Sequence, residues 1–252
     1  MQAIILSAGR GSRLLPLTTD LPKCLLPVGL PSVLALQIDT LFKRGIEQIT
    51  IVTGFNAHLV EEEVSSLGYG EKVSTLYNPF YQVADNLASC WMARQEMNND
   101  FLLINGDTLF SPELLTRVLA APAKNISVTI DQKEHYDGDD MKVSLSGHQL
   151  TAIGKTLLPQ QTQGESIGML RFMKNGPSIF KNELERLMRM EEGTKSWFLS
   201  AINGLALSGK VIDTTNIKGE TWAELDTPED YEICLDLFGG SQMQRQRLAA
   251  IK

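Results

Sequence analysis

The sequence has little cysteine and no long hydrophobic run. Its 252 residues include three cysteines, Cys24, Cys90 and Cys234, which are far apart and form no CxxC pair. This spacing excludes a disulfide framework and a cysteine-rich zinc site, and it favours a reducing, cytoplasmic location. No apolar run approaches the roughly 18 residues that a transmembrane helix needs, and the apolar residues 1–8 lack the basic segment that precedes a secretory signal core. We therefore expect no membrane partner.

Basic charge is also scarce. The chain has 23 Lys and Arg residues against 30 Asp and Glu residues, which gives a net charge of −7. Non-specific binding of nucleic acid needs a basic surface, so nucleic acid is not an expected partner. An acidic chain that binds a small phosphorylated ligand has to concentrate a few basic groups in one loop or recruit a metal ion.

Short apolar runs alternate with amphipathic stretches, and this pattern predicts an α/β fold. We expect a Rossmann-like, mixed and mostly parallel central sheet with helices on both faces. A small β-hairpin and helical insertion should shape the substrate site. Residues 1–237 are expected to form a single domain, with acceptor-side elements at about 132–220, and residues 238–252 a polar tail.

The individual elements follow from this periodicity. Strands are predicted at 3–7, 48–53, 72–77, 101–105, 126–131, 211–214 and 221–225, with a hairpin at 141–155. Helices are predicted at 32–44, 57–66, 87–97, 112–119, 177–191, 197–207 and 228–237.

A glycine-rich segment follows the first predicted strand and reads Leu6-Ser7-Ala8-Gly9-Arg10-Gly11-Ser12-Arg13. A turn of this kind exposes backbone N–H groups to a phosphate, and its two arginines add positive charge. Leu14 stands where the dinucleotide fingerprint has its third glycine, so an oxidoreductase cofactor site is disfavoured. An ordinary strand-to-helix turn is the alternative.

A single lysine, Lys23, lies among apolar residues between Pro22 and Pro27. The prolines restrain the backbone on both sides of it, and an ammonium group suits a phosphate. The alternative is a surface lysine in a proline-rich loop.

Carboxylates follow two other apolar strands. The run 101–105 is followed by Gly106 and Asp107, and Glu224 and Asp226 alternate so as to point to one side of a strand. Carboxylates at such positions can hold Mg²⁺ or Mn²⁺ against phosphate oxygens. The alternatives are an Asx turn at Asp107 and a helix cap at Asp226 or Thr227.

Together, these segments resemble one family. Residues 6–28 read LSAGRGSRLLPLTTDLPKCLLPV, and the opening signature of the nucleotidyltransferases that make activated sugars and alcohols is LxAGxGxRxxPLTxxxPKxxxPV. The resemblance implies the nucleotide-diphospho-sugar transferase fold, with Asp107, Glu224 and Asp226 as metal ligands. It also implies nucleotide contacts at Leu6, Ala8, Gly9, Arg10, Gly11, Ser12, Arg13, Lys23 and Gly106.

A second stretch resembles the cytidylyltransferase branch of that family, which acts on phosphocholine, inositol phosphate and aminoalkylphosphonates. The stretch runs from Asn78 to Trp91, and the resemblance implies nucleotide contacts at Asn78, Asn86 and Ser89. Asn86 and Ser89 lie near the start of a predicted helix, where their side chains can read a base edge. Helix capping is the alternative. We therefore favour CTP as the nucleotide.

The middle of the chain resembles the acceptor pocket of the inositol-phosphate enzymes. The matching segments are 139–143, 153–155 and 165–168. They make Lys142 and Lys155 candidates for the acceptor phosphate. A solvent-facing Lys142 on a hairpin is the alternative. The remaining acceptor-site candidates are Glu165, Gly168 and Trp197.

Trp197 could contact a trimethylammonium group through its ring, although a core or interface position is the alternative.

The expected chemistry is metal-dependent nucleotidyl transfer. A phosphate or phosphonate oxygen of the acceptor attacks the α-phosphate of CTP and pyrophosphate leaves, with Arg13 and Lys23 as catalytic residues. One alternative is a sugar-1-phosphate uridylyl- or thymidylyltransferase. Another is a non-catalytic nucleotide-binding regulatory module. The resemblance also makes a homodimer an expectation.

Overall fold

A computed structural model describes residues 1–29 and 31–239, so the predicted tail lies outside the described residues from 240 onward. The strands are β1 (Gln2–Ser7), β2 (Gln48–Thr53), β3 (Val73–Tyr77), β4 (Phe101–Asn105), β5 (Thr108–Phe110), β6 (Ile126–Asp131), β7 (Lys142–Ser146), β8 (Gln149–Ile153), β9 (Gly164–Phe172), β10 (Asp213–Asn216) and β11 (Trp222–Glu224). The helices are α1 (Val33–Lys43), α2 (Ala57–Ser66), α3 (Asn86–Met92), α4 (Pro112–Ala120), α5 (Gly176–Met188), α6 (Phe198–Leu207) and α7 (Pro228–Phe238). Within these residues, no helix has the length and apolar character that a bilayer crossing requires.

One nine-stranded sheet runs through the molecule in the order β3-β2-β1-β4-β9-β6-β10-β8-β7. The four strands β1 to β4 are parallel, and β9 is antiparallel to both of its neighbours, β4 and β6. Strand β10 is parallel to β6, and β7 and β8 form an antiparallel hairpin at the far end. The mixed and mostly codirectional sheet confirms the predicted fold class.

Each face of the sheet is covered by helices because its buried strands present apolar side chains to both sides. In β1, Ile4 packs on the face that holds α3, α5 and α6, whereas Ile5 packs on the face that holds α1, α2 and α4. Ser32 begins α1 by accepting a hydrogen bond from the Ala35 amide, and Ser111 begins α4 in the same way.

The structure adds two strands that the periodicity did not predict. The nine residues of β9 read GESIGMLRF, and two glycines, Glu165 and Arg171 break the apolar pattern on which strand prediction relies. Arg171 is nevertheless buried, because its guanidinium donates to the carbonyls of Leu119, Ala121 and Pro122. Strand β5 has three residues and follows β4 after a two-residue turn, which is too short to give a periodic signal.

The other predicted elements differ mainly at their ends. The predicted helix 87–97 is α3 followed by a 3₁₀ turn, and the predicted strand 211–214 begins two residues later, at Asp213. Helix ends and short strands are the least constrained parts of a sequence pattern.

A third apolar cluster packs the loop after β1 against the segment that contains β11 and α7. Leu14 and Leu26 of the loop pack with Leu225, which follows β11, and with Tyr231 and Cys234 of α7. The Tyr231 hydroxyl donates to the Pro27 carbonyl at 2.7 Å. This packing brings the segment that carries Lys23 next to the segment that carries Asp226.

Candidate active site

The glycine-rich loop lies directly against Lys23. Gly11 has φ +72°, a conformation that favours glycine. A Cβ added there would stand 2.9 Å from the Cβ of Lys23. Any larger residue would therefore push Lys23 out of position, so the close approach of loop and lysine requires this glycine.

Backbone pairing assembles the carboxylates. Strand β11 is antiparallel to β5, with Glu224 opposite Thr108, and the Leu225 amide donates to the Asp107 carbonyl at 3.0 Å. One carboxylate oxygen from each of Asp107, Glu224 and Asp226 lies within 4.8 Å of the others. Asp107 therefore meets Glu224 and Asp226 at one point, although more than a hundred positions of the sequence separate it from them.

The helix cap next to this cluster is Thr227. Its hydroxyl accepts a hydrogen bond from the Asp230 amide, and the Asp230 carboxylate accepts one from the Thr227 amide, which forms a capping box. Thr227 thus satisfies the start of α7, and the side chain of Asp226 points into the cluster instead.

Lys23 bridges two of the carboxylates. Its Nζ donates to Asp107 Oδ2 at 2.5 Å and to Asp226 Oδ1 at 2.7 Å. Burial alone would lower the pKa of Lys23, but the charges of Asp107 and Asp226 outweigh it and raise that pKa above its ordinary value. Arg13 lies beside them, with Nη2 2.7 Å from Asp226 Oδ2.

Two features of the cluster fit a divalent cation. Asp107 Oδ1 is buried and accepts no hydrogen bond from the described residues, so a strong acceptor is left unsatisfied. Glu224 is exposed, yet desolvation and the charges of Asp107 and Asp226 raise its pKa to about 8. Crowded carboxylate oxygens of this kind suit Mg²⁺ or Mn²⁺, which would relieve both conditions.

A cavity of about 290 Å³ opens next to the cluster at the carboxyl ends of β1 and β4. Ten of the predicted site residues line it: Leu6, Ala8, Gly9, Gly11, Lys23, Asn86, Ser89, Gly106, Asp107 and Trp197. Polar ligands bind at this edge of α/β sheets because the strands end there and the loops are free to vary.

Other predicted nucleotide-binding residues lie outside the cavity wall. Arg10 is exposed, with its guanidinium 5.2 Å from the centre of the Phe55 ring, and Ser12 is exposed in the loop. Asn78 is fully buried behind Ser89, to whose hydroxyl its Nδ2 donates at 3.0 Å. Asn78 therefore supports a residue of the cavity wall and does not face the cavity.

The predicted acceptor-side residues fall into two groups. The first is continuous with the cavity. The Lys155 Nζ lies 4.9 Å from the centre of the Trp197 ring and 3.2 Å from Asp139, and Asp139 lies 3.5 Å from Arg13. Trp197 is 42% exposed, so the core alternative for this residue is wrong.

The second group lies deeper, beneath the hairpin. Lys142 is buried and donates to the Lys155 carbonyl at 3.1 Å, which makes the solvent-facing alternative wrong. Burial raises the pKa of Glu165 to about 7, although Lys133, 2.9 Å away, opposes that change. Gly168 has φ +72° and packs against the side chain of Asn105. A second cavity, of about 620 Å³, reaches Lys142 but none of the carboxylates of the cluster.

Sequence reasoning missed several residues of the first cavity: Ser7, Cys24, Tyr81, Ala84, Asp85 and Asn105. Ser7 is the residue that departs from the signature, and Asp85 directly precedes Asn86. Both residues are next to predicted site residues in the sequence, and this adjacency is the signal that could have indicated them.

Known proteins resemble this chain in sequence and in fold. The nucleotidyl transferase family model matches residues 2–138. The chain is 27% identical to the CMP-5'-(3-aminopropyl)phosphonate synthase of Streptomyces rubellomurinus over 100% of its own length and 41% of that protein. It is 26% identical to the CTP:phosphoglutamine cytidylyltransferase of Campylobacter jejuni over 94% of its own length and 100% of that protein.

The inositol-1-phosphate CTP transferase from T. maritima has the same fold, with a TM-score of 0.79 over 95% of this chain and 96% of that one. At 20% identity this likeness concerns the fold alone. The chain spans less than half the length of several curated relatives that it matches.

Proposed function

Because the chain belongs to the nucleotidyl transferase family, we propose that it is a Mg²⁺-dependent cytidylyltransferase. It transfers CMP from CTP to a small alcohol or amine that carries a phosphate or phosphonate group, and it releases pyrophosphate. The observation that carries this proposal is the junction of Asp107, Glu224 and Asp226 with Lys23 beside the glycine-rich loop. The same residues could hold Mn²⁺ in place of Mg²⁺.

In the proposed reaction, the anionic oxygen of the acceptor attacks the α-phosphate of the nucleotide, so no general base is needed. Catalysis then consists of positioning and charge neutralisation. The backbone amides at 9–12 and Arg13 hold the β- and γ-phosphates, and Lys23 neutralises charge at the α-phosphate. Asp107, Glu224 and Asp226 would hold a divalent cation, which would supply further positive charge at the phosphates.

The choice of CTP is supported by the names of the relatives from Streptomyces and Campylobacter, both of which are named for cytidyl chemistry. The second candidate is a uridylyltransferase or thymidylyltransferase of sugar 1-phosphates. A relative from Haloferax volcanii, named a UTP–glucose-1-phosphate uridylyltransferase and 23% identical over 91% of this chain, favours it. A non-catalytic nucleotide-binding module is the third candidate.

Three further features belong to the proposal. Residues 1–237 act as a single domain, for which the continuous sheet is the support. Reduced, free Cys24, Cys90 and Cys234 suit the cytoplasm. A homodimer is expected, and light scattering on the purified chain tests it.

The test is pyrophosphate release with Mg²⁺ from CTP, UTP, dTTP, ATP and GTP. The acceptors are phosphocholine, inositol 1-phosphate, 2-aminoethylphosphonate, glycerol phosphate and sugar 1-phosphates. Release that needs CTP and one non-sugar acceptor is the expected result. Release only with UTP or dTTP and a sugar phosphate would replace the proposal by its second candidate. Tight nucleotide binding without release would favour the non-catalytic module.

Asp107→Ala is the matched variant for this assay. It should lose at least about a thousandfold in turnover, because the proposed divalent cation loses one of its three carboxylate ligands. Circular dichroism and thermal denaturation check that the variant is folded. Turnover like that of the unmodified chain would overturn the site assignment.

A further inference from the structure

Two groups of residues that line the 290 Å³ cavity differ in chemistry. The glycine-rich loop, Lys23 and Asp107 suit phosphates, and residues of segment 81–89 form a second group, called the base end here. A nucleotide whose phosphates lie against the first group would place its base against the second. The two groups are adjacent, because a Cβ built on Gly54 would lie 2.6 Å from the Ala8 carbonyl oxygen and 2.6 Å from the Cβ of Tyr81.

Most hydrogen-bond acceptors at the base end are already engaged. Asn86 Oδ1 accepts from the Phe198 amide at 2.8 Å, and the Ser89 oxygen accepts from Asn78 at 3.0 Å. Both residues keep a donor, the Asn86 amide NH₂ and the Ser89 hydroxyl hydrogen, for a ligand. The acceptor atoms of Asn86 and Ser89 thus each carry one hydrogen bond already, whereas their donors are unused.

Asp85 supplies the acceptor. It lines the cavity and directly precedes α3, yet its side chain does not cap that helix. Within the described residues, its carboxylate takes part in no hydrogen bond or ion pair, whereas its backbone amide donates to the Thr194 carbonyl at 2.8 Å. The backbone is therefore fixed while the carboxylate remains available to a ligand.

We infer that Asp85 is a specificity-determining residue that selects cytosine over uracil in the proposed reaction. Cytosine presents one donor, the 4-amino group, followed by two acceptors, N3 and O2. Uracil presents an acceptor, O4, where cytosine has its donor. An acceptor from Asp85 beside donors from Asn86 and Ser89 complements cytosine, and the same carboxylate repels O4 of uracil. This inference rests on the proposed function.

The experiment compares the full chain with its Asp85→Asn and Asp85→Ala variants. It measures kcat/KM for CTP, UTP and dCTP with one acceptor that carries an amine and one that does not. Calorimetry measures binding of the same nucleotides without acceptor. Asp39→Asn is the control, because it removes the same charge from α1, where Asp39 pairs with Lys43.

Asp85→Asn should lower the preference for CTP over UTP at least about tenfold, in both kcat/KM and affinity, because an amide can turn its NH₂ group toward O4. Asp85→Ala should bring the two nucleotides close together, and Asp39→Asn should leave the preference unchanged. An unchanged CTP-to-UTP ratio in both Asp85 variants would overturn the inference.

Two other outcomes would also overturn it and would reassign Asp85. Loss of discrimination between CTP and dCTP alone would assign the carboxylate to the ribose. Loss of activity with the amine-bearing acceptor alone would assign it to that acceptor. If the unmodified chain releases no pyrophosphate from CTP, the proposed function fails, while the binding measurements still decide the role of Asp85.

Discussion

Lys23 holds two carboxylates that would otherwise repel each other. Its Nζ lies 2.5 Å from Asp107 and 2.7 Å from Asp226, and the side chain is 15% exposed. At this depth each charge depends on its partner, because water reaches the group poorly. The lysine therefore has a role in stability that can be separated from its proposed role at the α-phosphate.

Lys23→Met should lower the free energy of unfolding by about 2 kcal/mol in EDTA, because it leaves Asp107 and Asp226 without their shared cation. Millimolar Mg²⁺ should restore part of this loss, since a divalent cation can replace the ammonium charge between the carboxylates. Thermal denaturation in EDTA and in Mg²⁺ measures both effects.

The unmodified chain should show a smaller rise in melting temperature with Mg²⁺ than Lys23→Met does. Equal rises in the two proteins would contradict the prediction.

The ionisation of Glu165, which lies beneath the hairpin, should make the stability of the folded chain depend on pH. It faces Lys133, Asp140, Tyr136 and Asp131, and its folded-state pKa of about 7 lies above the ordinary value of 4.5. Between these values the folded chain keeps a proton that the unfolded chain has released. Stability from this group is therefore present at low pH and is lost as the pH rises toward 7.

Glu165→Gln should flatten that dependence, because the amide cannot ionise. The free energy of unfolding of the unmodified chain should fall between pH 5 and pH 8 by at most about 3 kcal/mol more than that of the variant. Urea denaturation at several pH values measures the difference. Glu61→Gln, an exposed change on α2, serves as the control, and parallel curves for Glu165→Gln and the unmodified chain would refute the prediction.

Among the elements, helix α1 fixes the turn that carries Asp107. Gln37 of α1 is buried, and its Nε2 donates to the Asn105 carbonyl at 2.9 Å and to the Thr108 carbonyl at 2.8 Å. These carbonyls lie on either side of Gly106 and Asp107. A single amide group thus holds both ends of the turn, and helix and turn are positioned together.

Gln37→Met should loosen this turn while preserving the size of the side chain. Two carbonyls lose their donor, so we expect about 2 kcal/mol less stability and a several-fold weaker apparent affinity for Mg²⁺ in the turnover assay. Thr40→Val is the matched control, since Thr40 is a buried polar residue of the same helix. An unchanged apparent affinity for Mg²⁺ in Gln37→Met would show that the turn does not need the clamp.

The sequence predicts most elements because strong local signals mark them. The strands Gln48–Thr53, Phe101–Asn105 and Ile126–Asp131 agree with prediction at both ends, as does the helix Ala57–Ser66. β9 escapes prediction because its buried charge is satisfied by carbonyls from another part of the chain. No local pattern can reveal such a partner.

The same reasoning applies to the candidate site. The signature and the acidic motifs indicate Lys23, Asp107, Glu224 and Asp226, which the fold brings together. Asp85 is not indicated, because its importance depends on which neighbouring oxygens are already engaged. Which oxygens accept hydrogen bonds is determined only by the folded structure.

For the whole molecule, the central position of β9 joins the two halves of the sheet. It lies between β4 and β6, so residues 164–172 complete the edge of strands formed within the first 105 residues. The family model ends at residue 138, well before this strand. The end of that match is therefore not a boundary at which the sheet can be divided.

A fragment of residues 1–138 should accordingly fail to form a stable monomer. It would expose β4 as a new apolar edge next to the face from which α5 and α6 are missing. Size-exclusion chromatography should show aggregates, and hydrogen exchange should show little protection in β4. A fragment of residues 1–239 is the control, and a monomeric, cooperatively unfolding 1–138 fragment would contradict this interpretation.

The late arrival of β9 also sets an order of events on the ribosome. Strands β1 to β4 can leave the exit tunnel and pair while the codons for residues 164–172 are still untranslated. During that interval the nascent chain offers the hydrogen-bonding edge of β4 to any other extended strand, including one from a neighbouring ribosome on the same messenger. We expect chaperones that bind apolar nascent segments to occupy this edge until β9 displaces them.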